Sequence, residues 1–141
     1  MLFQKIFMFP SCNRKIEMKS ADFHHWLERY GKAWIHGKPR AAIRLFSENA
    51  AYYEEPFHAP MVGREAIQKY WTEGAKEGQQ DITFDFQIIS LNNSSGYAHW
   101  QATFRRVSTH TQVALDGILL AKFNRNGECT EFREWWHRQE L

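Results

Sequence analysis

Residues 81–88 read DITFDFQI, and within them Ile82, Phe84, Phe86 and Ile88 alternate with Thr83, Asp85 and Gln87. Successive side chains of a strand point to opposite faces, so a period of two describes a strand with one buried face and one wet face. Toward the C-terminus, Asn92-Asn93-Ser94-Ser95-Gly96 is a turn cluster. Three more strand-like runs follow, over 97–107, 112–123 and 128–138. Asn124-Arg125-Asn126-Gly127 separates the last two and signals a hairpin, because Asn and Gly tolerate positive φ.

Upstream of residue 80 the period changes. Phe23, Trp26, Leu27, Tyr30 and Trp34 fall at i, i+3, i+4, i+7 and i+11, the stripe of an amphipathic helix. Ser20 or Asp22 can cap its start, and Gly37 with Pro39 marks its end. A second, shorter helix starts at Pro39 with Ala42, Ile43, Leu45 and Phe46 inward. AAYYE at 50–54 reads as a short strand, EPFHAP at 55–60 as a loop, and 64–78 as a third helix with Ile67, Tyr70 and Trp71 on one side. Three helices followed by a run of strands make an α+β domain, in which helices cover one face of a curved sheet. The domain is expected over 20–141. Residues 1–19 form an N-terminal arm, apolar over 1–10 but interrupted by Gln4 and Lys5 and ended by Pro10.

A chain of 141 residues is one domain at roughly 100–200 residues each. Hydrophobic residues at 43% and charged residues at 24% suit a soluble globule and exclude a disordered tail. No run approaches the roughly 20 apolar residues that cross a bilayer, so a membrane is not an expected partner. Eighteen Lys and Arg against sixteen Asp and Glu leave a net charge of +2 with the signs mixed, which argues against nucleic acid as a partner. Cys12 and Cys129 do not make a disulfide framework, and a reduced, cytoplasmic setting is the expectation. The seven histidines show no two-on-one-face helical spacing, so no metal site and no cofactor are expected.

Eleven Phe, six Trp and five Tyr bring the aromatic share to 16%. Each ring buries on the order of 150–250 Å², more than a packed core of this length requires. The surplus predicts a ring-lined hollow, and a small-molecule site needs one of roughly 300 Å³.

RYGKAWIHGKPRAAIRLF at 29–46, YYEEP at 52–56, VGREAIQKYW at 62–71 and LDGILLAKFNRNGECTEFREWW at 115–136 stand in an order and spacing that resemble the SnoaL-like branch of the nuclear transport factor 2-like superfamily. The resemblance implies a cone-shaped α+β roll: a strongly curved, mixed or antiparallel sheet wrapped by the three N-terminal helices, with an internal apolar cavity. It also implies homodimerisation through the outer sheet face. Members include isomerases, cyclases, epoxide hydrolases, dehydratases and proteins that only bind or assemble, so the fold leaves function open.

The resemblance also nominates catalytic residues. In the ketosteroid isomerase pattern, an acidic residue immediately before such a proline is the general base, which by motif is Glu55; one extra residue between Phe46 and Pro56 makes Glu54 the alternative. A carboxylate in an apolar hollow is costly to ionise, and its pKa rises toward the range where proton abstraction is effective. Tyr30 matches the step that holds an oxyanion-binding tyrosine. The second acid of the isomerase pattern falls on Leu119, which cannot donate a proton, and this departure argues against steroid isomerisation. Asp116, in an LDG motif resembling that of the cyclases, is three residues earlier and so on the opposite face unless a bulge at Gly117 turns it inward.

The expected cavity wall comprises Trp34, Tyr53, Phe57, His58, Tyr70 and Trp71, together with Trp100, Leu119 and Trp136. His99 and His137 sit beside Trp100 and Trp136 and alternate to the other face. Three functions remain open: binding of a small apolar ligand in the cavity with or without catalysis, metal-independent proton transfer using a cavity carboxylate, and an adaptor role through the outer sheet face.

Overall fold

The computed structural model describes residues 17–141; most of the N-terminal arm expected over 1–19, and Cys12, lie outside the described residues. The domain is α+β. Helix α1 (Ser20–Ile35) and the short α2 (Pro39–Ile43) precede β1 (Phe46–Tyr53), β2 (Met61–Val62) and α3 (Arg64–Trp71). A π-helical segment (Thr72–Gly78) then leads into β3 (Gln79–Asn92), β4 (Ser95–Arg106), β5 (Gln112–Phe123) and β6 (Cys129–Glu140). No helix among the described residues is long and apolar enough to cross a membrane.

The five stripe residues of α1 are all buried, from Phe23 and Leu27 at 0% exposure to Trp34 at 8%. They pack against the inner sheet face; at Gly31 a Cβ would come within 2.6 Å of the Phe84 ring, so the absence of a side chain sets how closely α1 approaches β3. Pro39 fits the first turn of α2, where its missing N–H leaves no hydrogen bond unmade. Only the first half of the third expected helix is α-helical. TEGAKEG winds as a π-helix, and its two glycines weaken the α-helical preference there.

The six strands form one mixed sheet in the order β2-β1-β6-β5-β4-β3. Every pairing is antiparallel except β1 with β6, which run parallel. Register shifts in β3 between Gln80 and Thr83 and between Ile88 and Ser90 bend that strand, as bulges do, and Asp81 takes a positive φ of 53° at the first of them. The sheet is open and curved, and its concave face holds the aromatic core: Phe46, Tyr52, Trp100 and Phe132 are each 2% exposed or less. Tyr52 and Phe132 rings meet at 4.7 Å between centroids.

Candidate active site

A cavity of about 190 Å³ opens between α1, α3 with its π-helical continuation, and the ends of β4, β5 and β6. It is smaller than the roughly 300 Å³ expected, below the usual range for drug-sized ligands. Seven expected residues line it: Tyr30, Trp34 and Glu54, then Tyr70 and Trp71, then Trp100 and Trp136. Others were not foreseen, chiefly Tyr52, Gln79, Arg106, Glu134 and Arg138.

Glu134 is the one buried charged side chain among the described residues, at 5% exposure. It lies on β6, where Phe132, Glu134 and Trp136 alternate onto the inner face while Trp135 turns outward. The Tyr30 hydroxyl donates to Glu134 Oε1 at 3.0 Å, and the Tyr30 and Tyr52 oxygens are 3.1 Å apart. A phenol has one hydrogen to give. With that of Tyr30 directed at the carboxyl, Tyr52 donates to Tyr30, and a directed chain runs from Tyr52 through Tyr30 to Glu134.

The electrostatics follow from burial. Removing a carboxylate from water disfavours its ionised form, and burial pushes the Glu134 carboxyl up to about 8. The Tyr30 hydrogen bond opposes this, the negative charge of Glu54 reinforces it, and the Tyr52 hydroxyl opposes it again. Glu134 therefore holds a proton at neutral pH. The phenols of Tyr30, Tyr52 and Tyr70 are raised well above their ordinary value, first by burial and next by the Glu134 charge. They act as hydrogen-bond donors, not as phenolates.

Glu54 reaches the cavity because it continues the inward row of Tyr52 past the end of β1. Its backbone carbonyl accepts the Trp136 indole N–H at 3.0 Å, which ties the segment after β1 to β6. The Trp34 indole donates to Gln79 Oε1 at 2.7 Å. Trp71 and Trp100 also stand in the wall, and neither indole N–H has a partner among the described residues.

The remaining expected residues lie elsewhere. Glu55 pairs with His58 in the loop after β1, outside the cavity. Phe57 in the same loop is 97% exposed, at a tip between Pro56 and Pro60 over which none of the described residues packs. Tyr53 alternates away from Tyr52 and lies under the Arg133 guanidinium at 3.7 Å. Leu119 faces inward but is fully buried in the core and does not line the cavity. Asp116 is on the outer face: the ladder through Gly117 is regular, without the bulge that would turn it inward, and its carboxylate binds His99 at 2.8 Å and Gln101 at 2.6 Å. Those two hydrogen bonds, Gln101 first, hold the Asp116 carboxyl below its ordinary value.

Gly117 has a different role. A Cβ there would meet the Trp135 carbonyl at 2.5 Å and Trp136 Cβ at 2.8 Å. Gly117 pairs with Trp136 across the β5–β6 ladder, so its lack of a side chain leaves room for that stretch of β6 beside the cavity wall. No cluster of three or more His, Cys, Asp or Glu side chains that could hold a metal ion occurs among the described residues.

Comparison with known proteins adds three findings. A family model for the SnoaL-like domain matches residues 27–132. The epoxide hydrolase/cyclase-like enzyme SalBIII, described in pyran ring formation in the polyether salinomycin, superposes with a TM-score of 0.75 at 15% identity, covering 88% of this chain and 100% of its own. A type 2 hexachlorocyclohexane dehydrochlorinase, LinA, superposes with a TM-score of 0.72 at 8% identity, over 86% of this chain and 87% of its own. At such identities the likeness shows the fold alone. No curated protein sequence matches the chain.

Proposed function

The chain belongs to the SnoaL-like domain family, and from that premise we propose that it binds a small molecule with an apolar body in the cavity and moves a proton on it. One observation carries this reading: Glu134 is buried at the cavity wall, bonded to Tyr30 and within the field of a second carboxylate, Glu54. A carboxyl held protonated by burial beside a second carboxylate in one cavity supplies the pairing of a general acid with a general base. Glu54 takes the proton, from a carbon beside a carbonyl or from a water attacking an epoxide. Glu134 gives its proton to the oxygen on which negative charge develops, and the directed Tyr52–Tyr30 chain steadies the carboxylate left behind. With an enolised ketone the next step returns both protons; after epoxide opening Glu54 gives its proton to solvent and Glu134 takes one from solvent, which restores the starting state. All groups that move a proton in this scheme belong to the chain. SalBIII and LinA are similar in fold, and each is described as an enzyme.

The test is proton exchange by NMR in deuterated buffer over enolisable ketones, lactones and epoxides. Wild type is expected to accelerate exchange or opening of at least one compound, with Glu134→Gln and Glu54→Gln each slower by about 100-fold or more. Background rates with wild type across the whole panel, or an unimpaired Glu134→Gln, would overturn catalysis and leave the binding reading.

We also propose a homodimer through the outer sheet face. Support comes from Tyr97 and Trp135, 36% and 43% exposed, since apolar rings on an open sheet face are a candidate contact. The free, buried Cys129 suits the reducing cytoplasm we assign to it. Sedimentation at micromolar concentration tests the dimer: a monomer in wild type sinks it, and Trp135→Lys is expected to weaken association.

A further inference from the structure

The cavity is chemically lopsided. Its inner part holds Glu54 and Glu134, and Arg106 and Arg138 line the same cavity toward the ends of β4 and β6. Arg138 follows Glu134 by four residues on β6, so the two Cα atoms are about 13 Å apart along the strand, and both side chains fall on the inner row. Arg138 is exposed and has no ion-pair partner among the described residues. Arg106 is more enclosed, its side chain 31% exposed, and its only ion pair among the described residues is a long contact of 3.5 Å to Glu140.

The Arg138 guanidinium, in the cavity wall without an ion-pair partner among the described residues, is a standing site for an anion, and it matches a carboxylate with two parallel N–H donors. The indole N–H groups of Trp71 and Trp100 in the same wall also lack partners among the described residues. Buried donors without acceptors favour an occupant that brings oxygen atoms. The charge of Glu54 repels an anion and the arginines attract it, so an anion enters with its charge outward and its apolar body toward the protonated Glu134.

We infer that the ligand of this cavity is a small organic carboxylate, held at its charged end by Arg138 and Arg106 and presenting its other end to Glu134 and Glu54. The inference deepens the proposed function and rests on its reading of the cavity as the ligand site.

The probe is phenylacetate, with phenylacetamide as its neutral twin, titrated into the full chain and followed by quenching of tryptophan fluorescence and by calorimetry. Phenylacetate is expected to saturate, to bind at least about tenfold more tightly than the amide, and to weaken as salt is raised. Arg138→Gln, and more strongly Arg138→Gln with Arg106→Gln, is expected to erase the difference between the two, with far-UV circular dichroism unchanged. Glu134→Gln is expected to keep the preference for the acid. Equal binding of acid and amide, no saturation by the acid up to about 10 mM, or an unaltered preference in the double arginine variant would overturn the inference. A retained preference without proton exchange would instead overturn catalysis and leave the carboxylate site standing.

Discussion

Leu119 on β5 and Glu134 on β6 are directly opposed in the antiparallel ladder, so their side chains stand on the same, concave face. Leu119 is the position at which the isomerase-like pattern lacks its second acid. The chain carries a buried carboxyl one strand over, and the β5–β6 register brings it to the same row. A second acid at position 119 would face Glu134 across the ladder as another carboxyl cut off from water. Leu119→Glu is therefore expected to cost on the order of 3 kcal/mol in urea unfolding. A change below about 1 kcal/mol, within the spread of ordinary substitutions, would mean that the two positions do not share a desolvated environment.

Glu134 makes stability depend on pH. Its folded pKa, about 8, is raised above the ordinary value of 4.5, so the folded state binds this proton more tightly than the unfolded chain does. The stabilising contribution is fully present below about 4.5, declines above it, and is lost as pH rises through about 8. Its size is several kcal/mol at most. Melting curves between these limits are expected to show wild type losing stability with rising pH and Glu134→Gln losing less. Parallel curves for the two proteins would show that Glu134 titrates normally.

Tyr30→Phe removes the donor that reaches Glu134 and the acceptor that Tyr52 uses. The variant is expected to lose about 1–3 kcal/mol of stability. Because the Tyr30 hydrogen bond lowers the Glu134 pKa, its loss moves that pKa further up. Any activity that needs protonated Glu134 falls above about pH 8 in wild type and should hold to higher pH in Tyr30→Phe. A pH–rate profile that moves the other way contradicts the assignment of Glu134 as the acid.

Gly117→Ala places a methyl group against the Trp135 carbonyl and Trp136 Cβ, both on the backbone side of β6 and unable to swing clear. We expect a loss of about 1–3 kcal/mol and altered near-UV circular dichroism from the displaced tryptophans. Unchanged spectra and stability would show that β5 and β6 separate more easily than their ladder suggests.

Much of the architecture was legible from periodicity, because burial imposes it. The stripe from Phe23 to Trp34 and the alternation from Ile82 to Ile88 each state which face is inward, and the helix wall of the cavity followed. Strand ends were harder. A shift of one residue exchanges Tyr52 for Tyr53 and Glu54 for Glu55, and only the packing of β1 against β6 settles which pair faces in. Glu134 escaped because a glutamate on a strand is ordinarily solvated. The signal was its place between Phe132 and Trp136 in one alternating row. For Asp116 the alternation pointed outward and the family likeness inward, and the side chain lies where the alternation puts it.

The parallel contact between β1 and β6 joins segments about eighty residues apart, as Phe46 beside Cys129 shows, and β6 occupies the middle of the sheet though it is the last of the six strands along the chain. On a ribosome, β1 and β5 emerge with no neighbour between them until that final strand arrives. Closing so long a loop delays folding, and the delay leaves two strand edges open to mispairing meanwhile. Since the same strand carries Glu134, the molecule acquires its central ladder and its proposed acid in a single late event.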